Sequence, residues 1–281
     1  EFRTEYGAPD FDKIKIEHYE PAFLKGIEEQ NAEIKAIVES RETPGFENTI
    51  VALDNSGRTL ARVKGVFYAL TEADTNDEMS ALSEKIAPVL SEHNDNIYLN
   101  QDLYKRVAAV WQQEQEGKIT LTTEQHRLLD RYYKAFIRSG AGLDAGKQNR
   151  LREINKELST LAITFSNHVL NENNAYRLVI DNEAELAGLP EWVKTGAAEE
   201  AKAVGKEGKW LFTLQNSSRL PLLQYADNRE LRKDIYEAYI NRGNNGDAND
   251  NKEILKKIIS LRLEKANLLG FDCYSNFVLD E

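Results

Sequence analysis

DAGKQNRLREINKELSTLAITFSNHVLNE, residues 144–172, carries Leu151, Ile154, Leu158, Leu161, Phe165 and Val169 at steps of three and four positions. That spacing lines one face of an α-helix with apolar side chains and leaves charged residues on the other. At 1.5 Å per residue the helix is about 40 Å long, the longest the chain predicts. A helix of that length is stable only with a comparable partner to cover its stripe. The sequence on its N-terminal side supplies candidates.

HYEPAFLKGIEEQNAEIKAIVES, 18–40, has Pro21 where a first helical turn accepts it, and Phe23, Ile27, Ile34 and Ile37 fall near one face. RETPG, 41–45, supplies turn chemistry. FENTIVALDNSGRTLARVKGVFYAL, 46–70, reads as one long helix capped at Asn48 or Thr49, with Ile50, Leu53, Leu60, Val63, Phe67 and Leu70 buried. A third helix starts near Asp77 and carries Met79, Leu82, Ile86, Val89 and Leu90, with a kink expected at Pro88. QDLYKRVAAVWQQ is a fourth. LTTEQHRLLDRYYKAFIRSG opens on a Thr122 to Gln125 capping box and stops at Gly140.

On the C-terminal side the periodicity changes. Tyr176 to Ile180 and Trp210 to Gln215 are short and rich in aromatic and β-branched residues, and read as strands around a helix that starts at Pro190. Helices resume with RLPLLQYA, NRELRKDIYEAYINRG and a final long helix from about Asn251. No fixed-period repeat and no Gly/Ser or Pro-rich linker interrupts the chain. The fold class expected is mainly α, long antiparallel helices with a small two-strand β insert, divided into 1–174 and 175–281.

Composition narrows the function classes. The 281 residues hold 47 acidic against 36 basic side chains, a formal net charge of −11, which disfavours nucleic acid as a partner. No apolar run reaches the roughly 18 to 20 residues of a membrane helix. EFRTEYGAPDFDKIK, at the start, has no basic segment followed by an apolar one, so no secretory leader is visible. The single cysteine, Cys273, excludes an internal disulfide and a cysteine-based zinc cluster. A cytoplasmic protein is expected, with the periplasm, after removal of a leader, as the alternative.

Hydrolytic chemistry needs a nucleophile or activated water, a base and donors for an oxyanion. The four histidines, His18, His93, His126 and His168, are far apart, and no His-Glu-x-x-His occurs. His168 with Glu172 and His126 with Asp130 share helix faces at i, i+4, but two side chains are too few for a zinc site. Both pairs read as ordinary helix-surface residues. Cys273 stands beside Tyr274 without a nucleophile signature and reads as an inert thiol. SGAGL and NRGNNG match neither a P-loop nor a dinucleotide fingerprint. Glu28, Glu29 and Glu33, and Glu183 with Glu185, read as solvated faces or loop tips. The sequon Asn216-Ser217-Ser218 matters only in a eukaryotic secretory setting. No catalytic, cofactor-binding or metal-binding residue is assigned.

A string of segments nevertheless occurs in a telling order: HYEPAF at 18–23, FENTIVALDNSG at 46–57, TNDE at 75–78, NDNIYLNQDLYKRV at 94–107, LDAGKQNRLREIN at 143–155 and RLEKANLLGFDCY at 262–274. Together they resemble the N-terminal part of the thimet-oligopeptidase-like zinc metallopeptidases. TNDE and NDNIYLNQDLYKRV favour the bacterial peptidyl-dipeptidase branch over oligopeptidase A. The resemblance implies a two-lobed helical body around a deep channel, of which this chain would form most of one lobe and a channel wall. It implies zinc in the parent enzyme, held by a His-Glu-x-x-His helix and a later glutamate that have no counterpart here. No zinc residue is therefore carried over, and this portion is expected to bind none and to be inactive alone.

The implied partners are short peptides and the missing C-terminal catalytic part; exposed apolar surface would also favour self-association. A self-contained helical scaffold or peptide-binding module is the alternative, and endopeptidase rather than dipeptide-releasing specificity stays open. The closing stretch LRLEKANLLGFDCYSNFVLDE, 261–281, fits the first reading. Gly270 stops one helix, Asp272 is placed to cap another, Tyr274, Phe277 and Val278 restart an apolar stripe, and about two turns later the sequence ends.

Overall fold

The computed structural model describes residues 4–280, so Glu281 lies outside the described residues. Helices dominate: α1 (Tyr19–Glu39), α2 (Arg58–Ala73), α3 (Asp77–Tyr98), α4 (Gln101–Gln115), α5 (Thr123–Arg138) and α6 (Ala145–Ala175). Then follow β1 (Leu178–Ile180), α7 (Glu191–Ala203), β2 (Trp210–Phe212), α8 (Asn216–Tyr225), α9 (Arg229–Ile240), α10 (Lys252–Leu268) and the short α11 (Tyr274–Val278). This is the mainly α class with a two-strand insert that the periodicity predicts. The chain forms two compact units, one of residues up to Ile163 together with those from Ile259 onward, the other Thr164–Ile258.

The first unit has two apolar clusters. Tyr19 and Phe23 of α1, Leu60 and Phe67 of α2, and Met79 and Ile86 of α3 make one. Ile34 and Ile37 of α1 join Leu103, Val107 and Val110 of α4 and Leu129 and Phe136 of α5 in the other. Gly26 lets α1 and α2 approach to backbone contact, because a Cβ there would stand 2.9 Å from the Leu60 backbone. α3 runs through Pro88 as one element. In the second unit β1 and β2 pair antiparallel with Val179 opposite Leu211. Phe212, Leu186, Val193, Ala197, Leu222 and Ile235 close its core.

Asparagine caps three of the helix starts. Asn76 accepts from Met79 N, Asn100 from Asp102 N and Leu103 N, and Asn228 from Glu230 N and Leu231 N. The Thr122–Gln125 capping box forms as its sequence predicts. Gly270, at φ 89°, ends the penultimate helix in the left-handed conformation that glycine adopts without steric cost.

Four expectations are corrected. Residues 46–70 are not one helix: Phe46–Val51 winds as a π-helix, Ala52–Asp54 adds one α-turn, and the chain breaks at Gly57, φ 71°, before α2. The break holds because Glu33 of α1 accepts the Gly57 N–H at 2.7 Å, a partner 24 positions away. Asn48 caps no later helix; its Oδ1 accepts from Gly45 N at 2.8 Å and its amide donates to Thr43 O, folding the preceding turn. At α11 the N-cap position falls on Cys273 rather than Asp272, and Val278 is 47% exposed, so the restarted stripe reduces to Tyr274 and Phe277, which pack on each other, with Phe271 against Phe277. The strands are also shorter than predicted. Tyr176 N still bonds Glu172 O at the end of α6, and Ser218 Oγ accepts Thr213 N as the chain turns toward α8.

Candidate functional site

The residues with chemical potential are distributed through the fold and tied to structural partners. His126 does not face Asp130: its Nδ1 lies 2.7 Å from Glu114 of α4, while Asp130 pairs with Lys134 at 2.8 Å. His168 faces Asn251, 3.0 Å from its Oδ1, rather than Glu172. Glu172 is buried and accepts at Oε2 from Gly243 N and Asn245 Nδ2, both at 2.8 Å. Asn251 closes the same loop by donating from its backbone to Gly243 O and from its amide to Phe165 O. Thus the pair read as helix-surface residues is a clamp that seats the 241–251 loop on α6.

Glu28 pairs with Lys25, Glu33 caps Gly57, and Glu183 and Glu185 sit on a 3-10 turn begun by Asn182. Cys273 is half-buried at the start of a five-residue helix. Asn216 of the sequon accepts from Arg219 at 2.6 Å. Among the described residues no three His, Cys, Asp or Glu side chains are grouped to hold a metal ion. Zinc, which the resemblance implies for the parent, does not fit the histidines present, since His126 and His168 are each held by a separate structural partner.

His93 is the most enclosed histidine. It is 6% exposed, and its Nε2 lies 2.8 Å from Gln30 Oε1, which assigns the ring proton to Nε2. Gln30 in turn donates to Ser56 Oγ at 3.2 Å, and Ser56 donates to Leu53 O. These groups border a cavity of about 230 Å³ where Tyr132 donates to Asp54 at 2.9 Å. Burial, reinforced by the Lys64 charge, holds His93 below its ordinary value of 6.5. A lowered folded value means stability that is full above the unfolded value and lost as pH falls toward and through the folded one. The melting temperature should therefore fall between about pH 7.5 and about pH 5.5, and fall less in His93→Leu, which cannot titrate. Equal falls in thermal melts of the two proteins would acquit His93.

Two polar groupings escaped the sequence because their members are distant. Arg106 of α4 is buried and donates to Ser40 O at 3.1 Å and Glu42 O at 3.3 Å, holding the 41–45 turn. In the second unit Arg219 and Arg242 both lie over the Tyr239 ring, at 3.5 and 3.9 Å, and Arg242 donates to Asn173 Oδ1 at 3.1 Å. Arg242 and Tyr239 line a polar cleft with Asn173, Gln215 and Ser217. No helix among the described residues is long and apolar enough to cross a membrane.

Comparison with known proteins gives the class first: residues 222–281, from α8 to the last residue of the sequence, match the model of peptidase family M3. The particular relatives follow. The chain is 38% identical over 270 residues to the dipeptidyl carboxypeptidase of Escherichia coli (strain K12), covering 96% of this chain and 39% of that protein. With the dipeptidyl carboxypeptidase of Salmonella typhimurium (strain LT2) the identity is 39% over the same shares. With oligopeptidase A of S. typhimurium it is 32%, across 97% of this chain and 40% of that enzyme. The chain thus spans about two-fifths of the length of these relatives and corresponds to the N-terminal part of family M3 peptidases.

Proposed function

We propose that this chain is the N-terminal, non-catalytic portion of a zinc metallopeptidase that releases dipeptides from the C-terminus of short peptides, and that it walls the substrate channel. The observation that carries the reading is the ranking of relatives. Near-complete coverage at 38–39% identity goes with dipeptidyl carboxypeptidases, against 32% with oligopeptidase A, in a sequence without His-Glu-x-x-His. In such enzymes metal-activated water attacks the peptide with a glutamate as base, and among the described residues no His, Cys, Asp or Glu group is placed to hold such a metal. Exposed Ile259 and Leu263 on α10, one turn apart at 58% and 46%, support a surface that a longer polypeptide covers.

The test compares residues 1–281 with the product of the gene's full reading frame. Residues 1–281 should retain no stoichiometric zinc after dialysis and leave an N-acylated tetrapeptide intact. The full product should contain His-Glu-x-x-His and release a C-terminal dipeptide from that substrate. Zinc at one equivalent with turnover by 1–281 alone would overturn the reading. Cleavage at internal bonds without dipeptide release by the full product would move it to the oligopeptidases.

A further inference from the structure

We propose that the polar cleft of the second unit, between the end of α6, the start of α8 and the end of α9, binds the oxyanion of a small ligand, a carboxylate or a phosphate. The proposal rests on the cleft and stands apart from the peptidase reading. The cleft has two lobes, of about 340 and 470 Å³, that share Asn173, Gln215 and Ser217. Arg177 lines the first lobe and Arg242 the second.

Charge is the first argument. Elsewhere Arg150 grips Glu264 and Glu153, and Arg138 reaches Asp280. Among the described residues no carboxylate pairs with Arg177, Arg242 or the buried Arg219, although acids outnumber bases 47 to 36 in the chain. Their hydrogen bonds go to neutral acceptors: Arg177 to Asn174 O and Tyr176 O, Arg242 to Tyr239 O and Asn173, Arg219 to Leu214 O and Asn216. Those bonds orient the guanidiniums and leave their charge unneutralised. An ion that pairs with an oriented fork gains charge-assisted hydrogen bonds without the entropy of first ordering it.

The second argument is the supply of donors. Gln215 gives the first turn of α8 no side-chain cap, so that turn presents backbone N–H groups beside Ser217 and the Asn173 amide. Arg242 is braced over Tyr239 and is therefore fixed in the cleft wall. Glu200 borders the first lobe and is the one carboxylate among its lining residues; it suits a ligand that also carries an ammonium group.

Calorimetric titration of the 281-residue chain at low ionic strength with alanyl-alanine, alanyl-alanine amide and inorganic phosphate tests the assignment. Saturable one-to-one binding of the free dipeptide or of phosphate is expected, weakened about tenfold or more in Arg177→Gln or Arg242→Gln. Arg177 is exposed, so its variant should melt as the wild type does, which separates lost binding from lost fold. Binding of alanyl-alanine alone names a peptide or amino-acid carboxylate; binding of phosphate alone names a phosphorylated ligand; either supports the site. The proposal falls if neither saturates, if the amide binds as tightly as the free acid, or if both variants keep wild-type affinity.

Discussion

Phe67→Ala should lower the unfolding free energy by about 3–5 kcal/mol, a large share of the roughly 5–15 kcal/mol margin of an ordinary domain. Phe67 is fully buried. Its ring meets Tyr19 at 5.1 Å, Phe23 at 5.3 Å and Tyr68 at 5.2 Å, each edge to face. Truncation removes all three aromatic contacts together with the transfer energy of the ring. The cavity opens between α1 and α2, where Gly26 already holds the helices at backbone contact, so the walls have little room to close over it. Urea unfolding followed by far-UV circular dichroism measures the loss. Phe67→Leu, which keeps much of the volume, should recover more than half of it; a loss below about 1 kcal/mol for the alanine variant would show that the cluster collapses freely.

Glu172→Ala is expected to cost about 2–3 kcal/mol and to release the 241–251 loop. The carboxylate satisfies the buried Gly243 N–H and the Asn245 amide together, and alanine leaves the first of these donors without an acceptor away from water. Asn245→Ala removes only the second bond and should cost less than about 1 kcal/mol. In the double variant the two effects should not add, because Asn245 has lost its partner already. Amide hydrogen exchange is the sharper readout: Gly243 and Asn251 should lose protection by more than the rest of the second unit. Full additivity of the two substitutions, with exchange at Gly243 unchanged, would mean that the loop is held by Asn251 and His168 instead.

These residues also show where sequence reasoning succeeds. α5 was legible at both ends because its cap and box lie within four consecutive positions, 122–125, and its stop is the next glycine. The break at Gly57 was not, since Leu53 and Leu60 stay on one stripe through it and both are buried; the group that fixes the break, Glu33, sits on another helix. The same distance rule separates the candidate sites. His126 was matched to Asp130 by spacing along one helix, and the fold gives it Glu114. The arginine cleft assembles from residues between 173 and 242, with no local spacing to betray it. What the sequence did carry was a series of short segments in a fixed order, and the similarity to family M3 relatives rests on that same linear information.

The asparagine caps have a consequence for solution conditions. A carboxylate at an N-cap loses its charge in acid and is weakened by salt, so helices begun by aspartate come apart with titration and with ionic strength. Asn76, Asn100 and Asn228 are neutral amides that accept the same N–H bonds at every pH the protein meets. They also add no negative charge to a chain already at −11, which limits the self-repulsion that a fully acidic set of helix starts would impose. At these three starts helix initiation is thereby uncoupled from proton and salt concentration, whereas Asp144 and Asp250, which accept Lys147 N and Lys252 N at the starts of α6 and α10, keep that dependence.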